Sequence, residues 1–355
     1  MSTEASANAH PRLELIRRKR QGLRVALAIT CGFCLALLDG DTLPFLGPLF
    51  AAQLLLGSRR PLPLRQGLAT VVLIISVGAL LIFLTGVFGE RPWVLLPLLW
   101  LLYLGCFWAQ GHGKGGAAPA LVLIIAIAVP MLDILQRDLG ESIVLILAKG
   151  VSSGMLLAWA AHALLPDPAG GQEQETATPP GGNPLATRQA LASATILLLI
   201  VTWCLIDPRL ATAMVLPITV ATLLSQLELA TSRRAAFGLM IVNLLGGVAA
   251  SLAYALIELR PTLWLLFLTL LLVSLLFAGR AVMSASTGKV FGGGLVTFLI
   301  LFGLSISPLP TSAPELFSTR VAYVLLAILY AMFMAVLLWP RPLSPEPTSH
   351  ARAIE

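Results

Sequence analysis

Few side chains in this sequence are equipped for chemistry, and those few sit in unusual company. Lys149 stands inside an otherwise apolar run, with Ser152 and Ser153 one helical turn further along. A charge there costs about 2.5–3.5 kcal/mol near the centre of a bilayer. Asp133 lies near the end of the preceding apolar run, and the turns Asp39-Gly40-Asp41 and Asp207-Pro208-Arg209 add further carboxylates. An ammonium and carboxylates in such surroundings suit ion pairing, the binding of an anionic solute, or proton coupling. Two readings of Lys149 are open. In the first, the runs holding Asp133 and Lys149 form a hairpin across 136–141. Lys149 then faces Ala128, and Asp133 lies roughly 7 Å nearer the surface at 1.5 Å per residue, within reach of the lysine stem. In the second, Lys149 faces the axis of the molecule and attracts a carboxylate, with Ser152 and Ser153 extending a polar stripe and Tyr323 at the corresponding place 174 residues later. Asp133, Asp39 and Asp207 then become candidates for coupling or ion pairing.

Other chemistries find no footing. The nearest approach to a phosphate loop is Ser286-Thr287-Gly288-Lys289, in an expected loop between helices. It has Val290 after the lysine and Met283 where the first glycine belongs. The four histidines (His10, His112, His162, His350) are scattered, so no metal site is expected, and no serine stands in a nucleophile elbow. Cys31 and Cys34 form a C-x-x-C, but within an apolar helix they read as two buried thiols a turn apart. With Cys106 and Cys204 also in apolar runs, no disulfide framework is expected. Gly111-His112-Gly113-Lys114-Gly115-Gly116 reads as a flexible turn before it reads as an anion cradle. Asn243 and Gln53 are polar residues that bridge helices more often than they bind substrate. The expectation is a protein that is not an enzyme and carries no cofactor.

The elements that position these groups follow from composition. Of 355 residues, 57% are hydrophobic and 11% charged, with a mean hydropathy of +0.90. A soluble domain carries roughly 25% charged residues, so both an ordinary soluble enzyme and a disordered chain are excluded. The net charge of +6 is placed in short loops without aromatic platforms, which argues against nucleic acid. Twelve apolar runs have the length of membrane helices, at 23–38, 42–57, 67–88, 92–110, 117–135, 142–165, 189–206, 211–227, 236–257, 261–278, 290–307 and 320–339. The fold expected is all-α and polytopic, with about twelve transmembrane helices.

Basic residues set the orientation. With a cytoplasmic N-terminus, 17 of the 23 Lys and Arg fall on the cytoplasmic side, five (Arg91, Arg137, Arg209, Arg260, Arg320) fall outside, and Lys149 lies within a span. The basic stretch from Arg12 to Arg24 is expected to lie on anionic headgroups as a short amphipathic helix, with Arg24 snorkelling, and no signal peptide precedes it. The chain also repeats: Ser58-Arg59-Arg60 recurs as Ser232-Arg233-Arg234, and Ala163-Leu164-Leu165-Pro166 as Leu337-Leu338-Trp339-Pro340, both 174 residues on. Two parallel six-helix halves place a candidate pathway at their interface. The expected organisation is a basic N-terminal segment (1–22), a first six-helix repeat (23–166), a flexible cytoplasmic linker (167–187), a second repeat (188–340) and a cytoplasmic tail (341–355).

The opening Arg24…Asp39-Gly40-Asp41-Thr42-Leu43-Pro44-Phe45-Leu46-Gly47-Pro48, its second appearance as Arg188…Asp207-Pro208…Met214-Val215-Leu216-Pro217, the helix starts Arg65-Gln66-Gly67 and Arg234-Ala235-Ala236-Phe237-Gly238, and the closing Leu-Leu-Trp-Pro at 337–340 resemble the FUSC family of aromatic acid exporters. The likeness covers nearly the whole chain, in a short form without the large soluble regions of full-length members. The plant aluminium-activated malate transporters look like distant relatives. The resemblance implies a bacterial inner-membrane efflux component that exports small organic anions, aromatic carboxylates above all. It also implies a periplasmic adaptor (a membrane fusion protein of the HlyD/EmrA type) and an outer-membrane channel beyond it, with membrane lipids around the chain. Two rivals stay open: a passive anion channel, and a non-transporting scaffold subunit for an adaptor complex.

Overall fold

Backbone N–H and C=O groups inside a bilayer must pair within their own segment, so apolar runs of this length fold as helices. The computed structural model describes residues 2–57, 63–113, 118–135, 139–166, 184–207, 215–228, 233–283, 285–307 and 317–338. Among them are twelve helices and no strand: α1 (Ser2–Leu38), α2 (Leu46–Gly57), α3 (Leu64–Phe88), α4 (Pro92–Gly111), α5 (Ala118–Leu135), α6 (Leu139–Leu164), α7 (Pro184–Ile206), α8 (Val215–Glu228), α9 (Arg233–Leu259), α10 (Leu263–Met283), α11 (Ala285–Ile306) and α12 (Phe317–Leu338). Over the described residues, seven helices are long and apolar enough to cross a membrane: α1, α3, α4, α6, α7, α9 and α10. This is the architecture of a polytopic helical membrane protein.

The other five, α2, α5, α8, α11 and α12, are shorter as apolar helices over the described residues, and α2 and α8 are the shortest. The 12 residues of α2 rise about 18 Å at 1.5 Å each, against a hydrocarbon thickness near 30 Å. The expected span 42–57 is therefore a non-helical lead followed by a short helix, and 211–227 yields the 14-residue α8. From Leu46 to Ala52 every residue of α2 is buried, as befits a helix apolar on all sides. Pro48 and Pro217 fall in the first turns of α2 and α8, where the missing N–H would be unpaired anyway.

Several of the helix pairings recur six helices on, although α5 on α6 and α8 on α11 have no such counterpart among them. α1 packs on α2, α2 on α6, α1 on α6, α3 on α5, α3 on α6 and α4 on α5; adding six to each number gives contacts of the second half for α7 on α8, α8 on α12, α7 on α12, α9 on α11, α9 on α12 and α10 on α11. The halves meet through α1 with α10 and α4 with α7, and through α2 with α11 and α5 with α8. Close crossings use small residues, as in membrane bundles generally. A Cβ at Gly150 would stand 2.7 Å from Leu46 Cβ, and one at Gly154 would stand 2.7 Å from Gly47 O. The backbones of α2 and α6 can approach only because those atoms are missing. Phe33, Phe298 and Phe302 fill the interior, with Phe302 5.5 Å from Phe33 and 5.4 Å from Phe298 between ring centroids.

At one end of the bundle, α1 serves as a fastening. Its first turns continue without a break through the expected boundary at residue 22, which corrects the expectation of a separate short helix on the headgroups. Arg18 Nη1 donates to Met283 O at 2.7 Å, Arg20 Nη1 to Pro166 O at 3.0 Å and Gln21 Nε2 to Leu55 O at 2.9 Å. Arg24 Nε donates to Leu165 O at 2.6 Å, and Nη2 joins the same oxygen. Each acceptor lies in or just past the last turn of α10, α6 or α2. Such carbonyls lack intrahelical partners and carry the negative end of the helix dipole. Arg24 is 2% exposed, so it does not snorkel: it is buried against the end of α6. The linker (expected at 167–187, with α7 beginning already at Pro184) and the tail after Leu338 lie outside the described residues.

Candidate functional site

Gly40 sets the geometry of the opposite end. Its φ of 71° is the left-handed conformation that glycine adopts without strain. Asp41 N–H reaches Ala36 O at 3.0 Å and Gly40 N–H reaches Leu37 O at 3.2 Å. These two bonds are the Schellman pattern of a helix C-terminus. The turn presents the carboxylates of Asp39 and Asp41 to a single ammonium. Lys149 Nζ donates to Asp39 Oδ2 at 2.5 Å and to Asp41 Oδ1 at 2.6 Å.

The expected pairing with Asp133 of α5 falls outside the described residues, which do not include that side chain. The described partners of Lys149 are both on the α1–α2 turn. The physical reason is the glycine-lined crossing. α6 lays Gly150 and Gly154 against α2, so the face carrying Lys149 is turned toward the N-terminus of α2. Asp41, which the sequence suggested only as a turn former, is thus a member of the site. Its signal was available: a Gly-x-x-x-Gly pair beginning one residue after Lys149, matched by Gly47 on the neighbouring helix.

The cluster is wet. The side chains of Lys149, Asp39 and Asp41 are 54%, 65% and 25% exposed. The hydrogen bond from Lys149, and then its charge, hold the Asp39 carboxyl below the usual carboxylate range. A carboxylate stabilised in its ionised form is a poor proton carrier at neutral pH, so ion pairing is the role the geometry gives Asp39. Two carboxylates and one ammonium carry a net charge of −1. Asp41, Thr42, Leu43, Gly47, Ile146, Lys149 and Gly150 line a small cleft at this point.

Of the other expected residues, Ser152, Ser153, Tyr323 and Asp207 do not line that cleft. Ser153 Oγ donates to Gly150 O at 3.0 Å and packs on α2, where a Cβ at Gly47 would stand 2.5 Å from that hydroxyl. Ser153 thus lies between α6 and α2, and Ser152 is half-buried beside it. Tyr323 is half-buried against the core on α12, and Asp207 follows the last turn of α7, its N–H on Trp203 O at 3.1 Å. Neither lines the cleft. Cys31 is exposed and Cys34 half-buried, correcting the expectation of two buried thiols. Ser286-Thr287-Gly288-Lys289 lies within α11, not in a loop. Asn243 bridges helices as a buried acceptor for Thr297 Oγ1 on α11. Among the described residues no group of three or more His, Cys, Asp and Glu is placed to hold a metal ion.

The stretch between the turn and α2 touches both halves. Asp41 is held by Lys149 of α6, Thr42 O accepts a hydrogen bond from Ser307 Oγ just past α11, and Phe45, 5% exposed, seats its ring on Gly303 of α11. No family model, curated protein or solved structure matches this chain.

Proposed function

We propose that the chain is a bacterial inner-membrane transporter of small organic anions, of the FUSC type. In this reading it crosses the membrane twelve times as two parallel six-helix repeats, with both termini cytoplasmic, and works with a periplasmic adaptor. The recurrence of several helix pairings in both halves supports the repeat. The crowding of arginines at the α1 end, where Lys and Arg favour the cytoplasm, supports the orientation. The observation that carries the functional reading is Lys149: an ammonium on a spanning helix, open to solvent and facing a cleft. Asp39 and Asp41 hold it in the closed state, and the solute carboxylate takes their place during transport.

The test is uptake of radiolabelled benzoate, used as a probe carboxylate, by vesicles containing the purified chain under an imposed potential. Lys149→Arg keeps most of the flux, while Lys149→Ala raises the half-saturating concentration about tenfold, equivalent to about 1.4 kcal/mol. Wild-type flux in a folded Lys149→Ala protein rejects the reading. The net −1 of the cluster favours one alternative specifically, a scaffold subunit in which Lys149 is an ordinary ion-pair partner. That reading expects no flux from the wild-type chain with or without an adaptor.

A further inference from the structure

We infer that residues 41–45 form a gate strap, latched to one half of the molecule through Lys149 and to the other through Ser307 and Gly303. The purpose of the strap rests on the transport reading; the strap itself rests on contacts. Three anchors converge on five consecutive non-helical residues. The Asp41 carboxylate lies 2.6 Å from Lys149 Nζ, the Thr42 carbonyl accepts from Ser307 Oγ, and the Phe45 ring occupies the space a side chain at residue 303 would need. The first anchor belongs to α6 and the others to α11 or its last turn, so the strap crosses the interface of the halves near its end. Pro44 and Phe45 are buried while Thr42 is exposed, so the strap has a wet outer face and an apolar inner one.

The anchors differ in how they release. The Lys149 contact is solvent-exposed and exchangeable: a carboxylate ligand at Lys149 makes the same charge-assisted bond that Asp41 makes. Once the Asp41 carboxylate is displaced, the Thr42–Ser307 hydrogen bond, the Phe45 contact and the backbone bond from Asp41 N–H to Ala36 O remain. Three backbone bonds tie the strap to its flanking helices: Asp41 N–H to Ala36 O at 3.0 Å, Leu46 N–H to Leu43 O at 3.2 Å and Leu49 N–H to Phe45 O at 2.9 Å. All three sit at helix ends, so the strap can swing by loosening them while the rest of α2 keeps its helical bonds. Ligand binding at Lys149 and opening of the interface become one event, because one residue of the strap makes the latch and another, four residues on, makes the plug.

The experiment measures the strap directly. Nitroxide labels are placed at Thr42 and at Leu145, which is 71% exposed on α6, in a full-length chain whose four cysteines are replaced by alanine, reconstituted in lipid. The expected wild-type result is one narrow distance distribution. Lys149→Ala broadens it, and Gly303→Val, which forces Phe45 off its seat, adds a second population several ångström away. Gly303→Val combined with Phe45→Ala restores the single distance. Benzoate at saturating concentration shifts wild type toward the second population. Should Gly303→Val fail to fold, Phe45→Ala alone unseats the plug and gives the broadened distribution. An unchanged narrow distance in folded Lys149→Ala and in folded Gly303→Val or Phe45→Ala overturns the strap. If the distances respond to the substitutions while no variant carries benzoate, the transport reading fails and the strap stands. Benzoate flux with a motionless strap overturns the strap and leaves the transport reading standing.

Discussion

The two ends of the bundle hold α6 by opposite means. At one end a fully buried guanidinium grips a backbone carbonyl; at the other an ammonium meets two carboxylates that the protein leaves partly uncovered. The first contact has no competitor, because water and ions are kept from the guanidinium. The second is made of groups that any dissolved ion can imitate, in a medium that screens them. The same helix is thus fixed where it must not move and held reversibly where it can.

Removing Arg24 is the strongest test of the contrast. Arg24→Leu takes both donors away from Leu165 O and is expected to lower stability by about 1.5–3 kcal/mol, seen as an earlier thermal midpoint in detergent, with Arg24→Lys partly restored. Lys149→Ala should leave that midpoint nearly where it was. Equal shifts would erase the distinction between the ends. Between them, Gly154→Leu drives a side chain into the Gly47 carbonyl and is expected to cost about 1–3 kcal/mol through overpacking. The Thr42–Leu145 distance should change with it as α2 is pushed off α6; an unchanged distance would mean that the two helices shift as one body.

A smaller effect is expected from Asn243→Leu, which removes the buried acceptor on α9 that Thr297 uses. Polar pairs between membrane helices average about 0.6 kcal/mol and rarely exceed about 1.7. A double cycle with Thr297→Val should give a coupling of that size, and a larger value would make this crossing a third fastening. The smallest effect concerns pH. The carboxyl of Asp39 is lowered by its bond to Lys149. Its contribution is therefore fully present above the ordinary carboxylate value of about 3.9 and is lost only as pH falls through its still lower folded value. The Thr42–Leu145 distance should be flat from about pH 8 to about pH 5. Opening near pH 6 would show that a group other than Asp39 releases the cluster at Lys149.

Hydropathy made most of the helices legible, because a bilayer leaves helix as the only way to satisfy a lone apolar segment. It misjudged α1, whose first turns are rich in Ala, Glu, Leu and Arg. These are strong helix formers, and all but Leu and Ala score as polar on a hydropathy scale. It also overestimated α2, since apolar residues in the non-helical lead Leu43–Phe45 look the same as apolar residues in a helix. Asp39 and Lys149 both stood out as ionisable groups at or within apolar runs, but their partnership did not. Register was drawn from the neighbouring hairpin, whereas the packing of α6 is decided by glycines that meet a helix about a hundred residues away. Ser307 and Gly303, which complete the far side of the strap, carry no chemical signal at all; only the meeting of α2 with α11 gives them a role.

The length of α1 has a mechanical meaning. Its 37 residues make a rod of about 55 Å at 1.5 Å per residue, well beyond the thickness of a hydrocarbon layer. Arg24 clamps the rod part-way along, like a fulcrum, and Asp39 rides fifteen residues further on, roughly 22 Å away by the same rise. A tilt of about 10° around that fulcrum carries Asp39 sideways by roughly 4 Å on this arm, enough to part it from Lys149. A pull on the basic N-terminal stem, from whatever grips it, would thus be delivered as a stroke at the far mouth of the protein.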